Sequence, residues 1–217
     1  MSREEAENRN KTLAADVEAG NLFIINKKFP VGKTYKASDL AAIKYFAPDR
    51  AAETRFMRSE AAQAFNSMIE AAAADGYKIV MTTAYRSYDF QSILYTNYVK
   101  KYGQSEADTF SAKPGTSEHQ GGLAADISAS SVNYQLLQEF GETDEGRWIA
   151  ENAHKFGFIL RYPEGKTDVT GYIYEPWHVR YVGKTAASEI KRLGCTLEEY
   201  CNMNGIKNDA VSVKTKE

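Results

Sequence analysis

Residues 117–127 read SEHQGGLAADI, and the second half of that stretch decides how the chain folds. Leu123, Ala125 and Ile127 alternate with Ala124 and Asp126, the two-residue period of a strand with two distinct faces. The apolar set marks the core face, so Asp126 points away from it. Further on, residues 175–181 read EPWHVRY, where Trp177, Val179 and Tyr181 alternate with His178 and Arg180. His178 therefore stands opposite an apolar face, as Asp126 does. Each strand carries a metal-ligating residue type on its polar side, and the two can supply one shared cleft.

Outward from these strands, residues 61–75 form the clearest helix. Phe65, Met68, Ile69 and Ala72 follow the i, i+3, i+4, i+7 stripe, and Gly76 supplies a stop. Residues 78–84 (KIVMTTA) read as a short, buried strand. Ser87 caps a helix running to about Lys101, with Phe90, Leu94 and Tyr98 on one side and Gly103 at its end. Tyr85, Arg86 and Ser87 thus sit at a strand-to-helix corner. After a loop with Pro114 and Gly115, a helix over about 145–156 stops at Gly157, and residues 158–162 are strand-like. Thr196 with Glu199 makes a capping box that opens a last helix. Residues 21–29 (NLFIINKKF) read as a β-prone run opening the folded body, residues 21–203. The polar segments 1–20 and 204–217 are expected to be loosely held. Strands separated by unequal loops and bracketed by helices predict an α+β single domain rather than a regular βαβ series.

Composition narrows the function. With 217 residues, 43% of them hydrophobic, the chain has enough core to bury about 70% of its unfolded surface, and needs no metal or disulfide to fold. Lys and Arg total 27 against 29 Asp and Glu, a net charge of -2, which argues against a nucleic-acid partner. No run approaches the roughly 18–20 apolar residues of a membrane span, and the first 20 residues hold no apolar signal core. Those features fit a cytoplasmic protein, or an exported one whose leader and anchor lie outside this chain. The 3 His and 2 Cys leave few candidates for a metal site.

Two imidazoles and one carboxylate suit a catalytic zinc, which commonly takes three protein N/O ligands and keeps a fourth position open. A divalent ion so ligated retains a net +1, enough to make water a usable nucleophile near neutral pH. A histidine near an aspartate is more often a surface pair than a ligand pair. Three features favour the metal: Gly121 and Gly122, which allow close backbone approach; Asp126 in an apolar strand, costly unless paired or metal-bound; and Trp177 beside His178. Glu175 precedes His178 by three positions, and Pro176 bends the strand edge, so Glu175 can turn toward the metal as general base and then acid. His154, beside Trp148 and Phe156 on a helix, reads as structural. Arg161 and Arg180 read as ion-pair partners of carboxylates, with Arg180 nearer the site. Cys195 lies outside the last helix and Cys201 within it, which leaves a disulfide open.

Ser117, His119, Gly122, Ala124 and Asp126 match S-x-H-x-x-G-x-A-x-D, and Glu175 with His178 matches E-x-x-H. In this order and separation they resemble the LAS zinc metallopeptidases, and within them the VanY-type D-alanyl-D-alanine carboxypeptidases. AYRSYDFQ (84–91), SAKPGTSEHQ (111–120), FGFILRYPEGK (156–166) and EPWHVRYVG (175–183) extend the likeness over about residues 21–200. The resemblance implies a small antiparallel sheet flanked by helices, with a zinc cleft on the sheet. It implies one catalytic zinc on His119, Asp126 and His178, Glu175 as catalytic base, and Arg86 polarising the scissile carbonyl. Gln91 and Ser117 correspond to substrate-contacting positions.

The expected substrate is a peptidoglycan stem peptide or muropeptide that loses its terminal D-alanine. An L,D-carboxypeptidase acting on the stem tetrapeptide is the nearest alternative, and a non-catalytic cell-wall-binding module the alternative of another class. Such a module could dispense with Glu175 and Arg86. The remaining expectations are a monomer, no contact of this segment with a membrane, and a wall-facing or extracellular place of action. Residues 1–20 would then be the remnant of a stalk in a membrane-anchored full-length protein, while a cytoplasmic precursor-trimming enzyme also fits the chain.

Overall fold

The computed structural model describes residues 2–48 and 50–208. The chain opens with helix α1 (Arg3–Glu18), started by a capping box in which Ser2 and Glu5 satisfy each other's backbone N–H groups. Two three-residue strands, β1 (Leu40–Ala42) and β2 (Phe56–Arg58), pair antiparallel and lead into α2 (Ser59–Ala74). Strand β3 (Ile79–Thr83) is followed by α3 (Tyr88–Tyr102) and α4 (Gln104–Phe110). A 3-10 turn (Glu118–Gly121) introduces β4 (Ala124–Ala129), and α5 (Asp144–Asn152) continues as a 3-10 turn to Phe156. Strand β5 (Phe158–Tyr162), the short α6 (Thr167–Thr170), β6 (Glu175–Tyr181), α7 (Lys184–Leu193) and α8 (Leu197–Met203) complete the described chain.

β3, β4, β6 and β5 form one antiparallel sheet in that order. One face carries the main core. Leu123, just before β4, Ala125 and Ile127 of β4, and Val179 and Tyr181 of β6 pack with Phe65, Met68 and Ile69 of α2 and Trp148 and Ile149 of α5. A Phe of this size, fully buried as Phe65 is, contributes several kcal/mol, since Phe→Ala in cores costs about 3–5 kcal/mol. The apolar parity read from residues 123–127 is the core face, and the polar parity is left for the site. The α+β single domain with a small antiparallel sheet flanked by helices is the architecture observed.

Three segments differ from expectation. Residues 21–29 form no strand, although Leu22, Ile24 and Ile25 are buried. Side chains satisfy this backbone instead. Asn26 Oδ1 accepts from the N–H groups of Lys28 and Phe29, Arg180 donates to the carbonyls of Asn21 and Phe23, and Asn208 exchanges two hydrogen bonds with Ile24. Residues 3–18 are a docked helix rather than a loose lead-in. Leu13 joins a second cluster with Leu22, Ile159, Val182, Ile190 and Tyr200, and Arg9 makes a two-pronged ion pair with Glu189 of α7 at 2.5 and 2.8 Å. One apolar contact and one ion pair on an otherwise polar helix leave no amphipathic stripe to read. Of the tail, Ile206 packs on this second cluster, while residues 209–217 lie outside the described residues. Cys195 and Cys201 are both free thiols.

Docking of α1 is testable. Leu13→Ala should destabilise the fold by about 2 kcal/mol, the low end for Leu→Ala in cores because the site lies at the cluster's edge, read as a lower urea midpoint at unchanged slope. An unchanged midpoint would show that α1 is not held.

Candidate active site

β4 and β6 are in register such that Asp126 and His178 are directly opposed, and side chains of opposed residues lie on the same face of the sheet. His178 Nδ1 is 3.0 Å from Asp126 Oδ1. His119 arrives from the 3-10 turn. Its Nδ1 donates to the Ala84 carbonyl at 2.6 Å, which turns Nε2 to within 3.3 Å of Asp126 Oδ2. The two rings are edge to face, with centroids 4.9 Å apart. All three residues are buried, and one ligand atom of each lies within 4.8 Å of the others.

The backbone that delivers His119 depends on Gly122, which adopts φ +71. A side chain there would be strained, and its Cβ would stand 3.1–3.2 Å from Ala37, Leu40 and Arg58. The Gly122 carbonyl also accepts from Arg58 N–H at 2.7 Å, tying the turn to β2.

The donor set fits a zinc ion on internal grounds. Burial, with Arg86 nearby, lowers His119 to about 4, so its ring is neutral near pH 7. Nδ1 holds the proton for Ala84, and Nε2 therefore presents a lone pair toward a carboxylate oxygen. Two buried acceptors in contact are unfavourable, and Nε2 has no hydrogen-bond partner among the described residues. A cation between them removes the conflict. Burial opposes ionisation of Asp126, but its contacts with His119 and His178 outweigh that and hold the carboxyl well below its usual range. Burial would also lower His178, but its contacts with Asp126 and Glu118 raise it to about 9. A cation held here would stand in for the proton that His178 carries toward Asp126.

Glu175 lies beside this cluster, its Oε2 3.8 Å from His178 Nδ1. Leu160 pairs with Val179 but Tyr162 pairs with Glu175, so β6 bulges between them, where Pro176 stands. The bulge brings Glu175 and His178, three residues apart, into one cleft. Burial raises the Glu175 carboxyl, His178 opposes this and Asp126 adds to it, for a value of about 7. Arg86 enters from the corner after β3, its Nη2 3.8 Å from Asp126 Oδ2, while its backbone N–H donates to the His119 carbonyl. These groups open into a cleft of about 310 Å³ walled by Tyr98, Tyr162, Tyr172 and Trp177. Trp177, expected in the core, packs on the core and lines the cleft as well.

Ser117 lines the cleft. Gln91 does not stand in its wall. It is 1% exposed, its oxygen accepts from Arg86 Nη1 at 3.0 Å, and its amide donates to the Ala112 carbonyl at 2.7 Å. Both polar ends are engaged, so Gln91 acts on Arg86 where a substrate contact was expected. His154 lies away from the cleft, on an apolar groove between α5 and α7. Arg161 and Arg180 do pair with carboxylates, and both reach Glu118. Glu118 escaped the sequence reading. Its signal was a charged residue next to His119 in a stretch otherwise fit for burial.

Residues 54–184 match the family model for VanY, D-alanyl-D-alanine carboxypeptidase. The chain belongs to the VanY family. It is 44% identical over 180 residues to the putative carboxypeptidase YodJ of Bacillus subtilis (strain 168), a match covering 82% of this chain and 66% of YodJ. The chain therefore spans just under two thirds of that curated relative. Among solved structures, the LdcB LD-carboxypeptidase superposes with a TM-score of 0.78 at 44% identity, covering 82% of this chain and 84% of that one. A VanY D,D-pentapeptidase from a VanB-type resistance cassette, solved with Zn(II), gives 0.70 at 34% identity over 84% and 99%. The VanY fold thus accounts for the α+β sheet and for a His-Asp-His set suited to zinc.

His119→Ala should leave purified protein with little or no zinc by elemental analysis, against one equivalent in the parent. Full stoichiometry in the variant would remove His119 from the ligand set.

Proposed function

We propose that this chain is a zinc-dependent carboxypeptidase that removes the C-terminal D-alanine of peptidoglycan stem peptides, with the D,D bond of the pentapeptide as its target. The observation that carries this reading is the buried His119, Asp126 and His178 cluster opening into a cleft that also holds Glu175 and Arg86. His119 and His178 through imidazole nitrogens and Asp126 through a carboxylate oxygen would hold the ion. Zinc, when bound, supplies Lewis acidity toward water and the scissile carbonyl.

Glu175 takes a proton from the attacking water on its carboxylate and passes it to the amine of the departing D-alanine. Its value of about 7 makes both protonation states accessible near neutrality. Arg86 presents a fixed positive charge where the carbonyl oxygen gains negative charge, a contribution of several kcal/mol in preorganised sites. Gln91 holds that guanidinium in place, so the charge needs no reorganisation during the reaction. Tyr162 and Trp177 wall the cleft and limit water around the reacting groups. Ser117 is placed to contact the peptide. The presence of Glu175 and Arg86 together in the cleft favours an enzyme over a non-catalytic wall-binding module.

L,D cleavage of the tetrapeptide is the second reading, favoured by the 44% identity to LdcB. Among the described residues no helix is long and apolar enough to cross a membrane. A stem-peptide substrate goes with a wall-facing place of action.

Zinc-loaded protein incubated with defined pentapeptide and tetrapeptide muropeptides distinguishes these readings by product mass. Tetrapeptide from pentapeptide is the expected outcome, tripeptide from tetrapeptide would shift the assignment to L,D cleavage, and no product from either would refute the carboxypeptidase. Glu175→Gln should keep one zinc and lower turnover by about a hundredfold or more, the scale of a lost general base. Unchanged turnover would contradict its role.

A further inference from the structure

We infer that Glu118 is a positioning residue for the metal: it takes His178 at Nε2 and so aims Nδ1 at the ion, and two buried arginines fix Glu118 in turn. This rests on the zinc reading above. Glu118 Oε1 accepts from Arg161 Nε at 2.7 Å and from Arg180 Nη1 at 2.8 Å. Its other oxygen, Oε2, has no hydrogen-bond partner among the described residues and lies 3.6 Å from His178 Nε2, itself without a partner. The carboxylate is wholly buried, as is Arg161, and Arg180 is 2% exposed.

A buried carboxylate with one oxygen held by two guanidinium groups has a fixed orientation, and its second oxygen can only accept. Among the described residues, His178 Nε2–H is placed to face it, 3.6 Å away. A closing of about 0.5 Å gives that contact ordinary hydrogen-bond length. An imidazole protonated and bonded at Nε2 has its lone pair on Nδ1, the atom already 3.0 Å from Asp126. Tyr162, its ring 4.8 Å from that of His178, supports the imidazole from the side.

The arginines are themselves anchored at a distance. Arg161 forms a two-pronged pair with Glu198 of α8 at 2.6 and 2.8 Å, and Arg180 donates to the carbonyls of Asn21 and Phe23. Glu118 and Glu198 thus share Arg161, but only Glu118 reaches the metal ligand. That difference separates positioning from plain neutralisation of buried charge. In Glu118→Gln the amide oxygen can serve the arginines only if its NH2 faces the His178 N–H, donor against donor. In Glu198→Gln the fold loses an ion pair of Arg161 and the His178 contact stays.

The test is zinc affinity of the full chain, by competition with a chromophoric chelator, alongside the melting temperature of the metal-free protein. Glu118→Gln should weaken zinc binding by about tenfold to a hundredfold, the range for lost partners of metal-bound histidines. Glu198→Gln should lower the melting temperature and leave zinc affinity unchanged. Unchanged affinity in Glu118→Gln, or equal weakening in both variants, overturns the inference. Nitrogen-15 NMR of the zinc-loaded parent decides the point even where Glu118→Gln does not fold. His178 protonated at Nε2 supports the inference, and His178 protonated at Nδ1 overturns it. A parent that takes up no zinc overturns the zinc reading itself, and this inference with it.

Discussion

The rest of the structure depends on one cross-strand pair, Asp126 of β4 against His178 of β6, buried and 3.0 Å apart. A carboxylate in a sheet interior costs several kcal/mol unless positive charge and hydrogen bonds compensate it. The antiparallel register provides the partner, and a slip of one residue would turn it to the opposite face. The same register puts Ala125 opposite Val179 on the core side, where α2 and α5 cover it. One pairing thus aligns the site on one face and the core on the other.

Around that pair the buried charges are arranged in alternating sign. Asp126 is flanked by His178 and Arg86, with the neutral His119 ring beside it, while Glu118 lies behind His178 between Arg161 and Arg180. Each guanidinium then leads outward, Arg161 to α8 and Arg180 to the segment before β1. This fits the irregular course of residues 21–29: the carbonyls of Asn21 and Phe23 are acceptors for a buried arginine rather than members of a ladder. It also ties the segment after α1 and helix α8 to the charged cluster around His178. Isolated buried ion pairs are weak evidence for stability. Here the pairs share atoms with the site, so their consequence is orientation of the imidazole.

Local patterns carried much of this into the sequence. The alternation in residues 123–127 and 175–181, the stripe on α2, and the caps at Ser87 and Thr196 depend on neighbouring residues alone, and the structure has each of them. His119, Asp126 and His178 were legible because their residue types are few and their strand parity agrees. What was not legible depends on distant partners. α1 docks through Leu13 and Arg9, without an apolar stripe. β1 and β2 are three residues each, too short for a period to show. Gln91 could be placed on α3 from its spacing, but its bond to Arg86 required the corner's geometry. Glu118 was hidden because nothing nearby in sequence announces the two arginines, 43 and 62 positions away, that hold it.

The central claim is that two imidazoles and one carboxylate from three separate segments converge on a single zinc ion. X-ray absorption at the zinc edge, on protein loaded with one equivalent, reads this shell directly. Two imidazole nitrogens at about 2.0–2.1 Å with oxygen neighbours at about 2.0–2.2 Å are the predicted result. A sulfur neighbour at about 2.3 Å, which Cys195 or Cys201 would supply, or a shell without imidazole would contradict it.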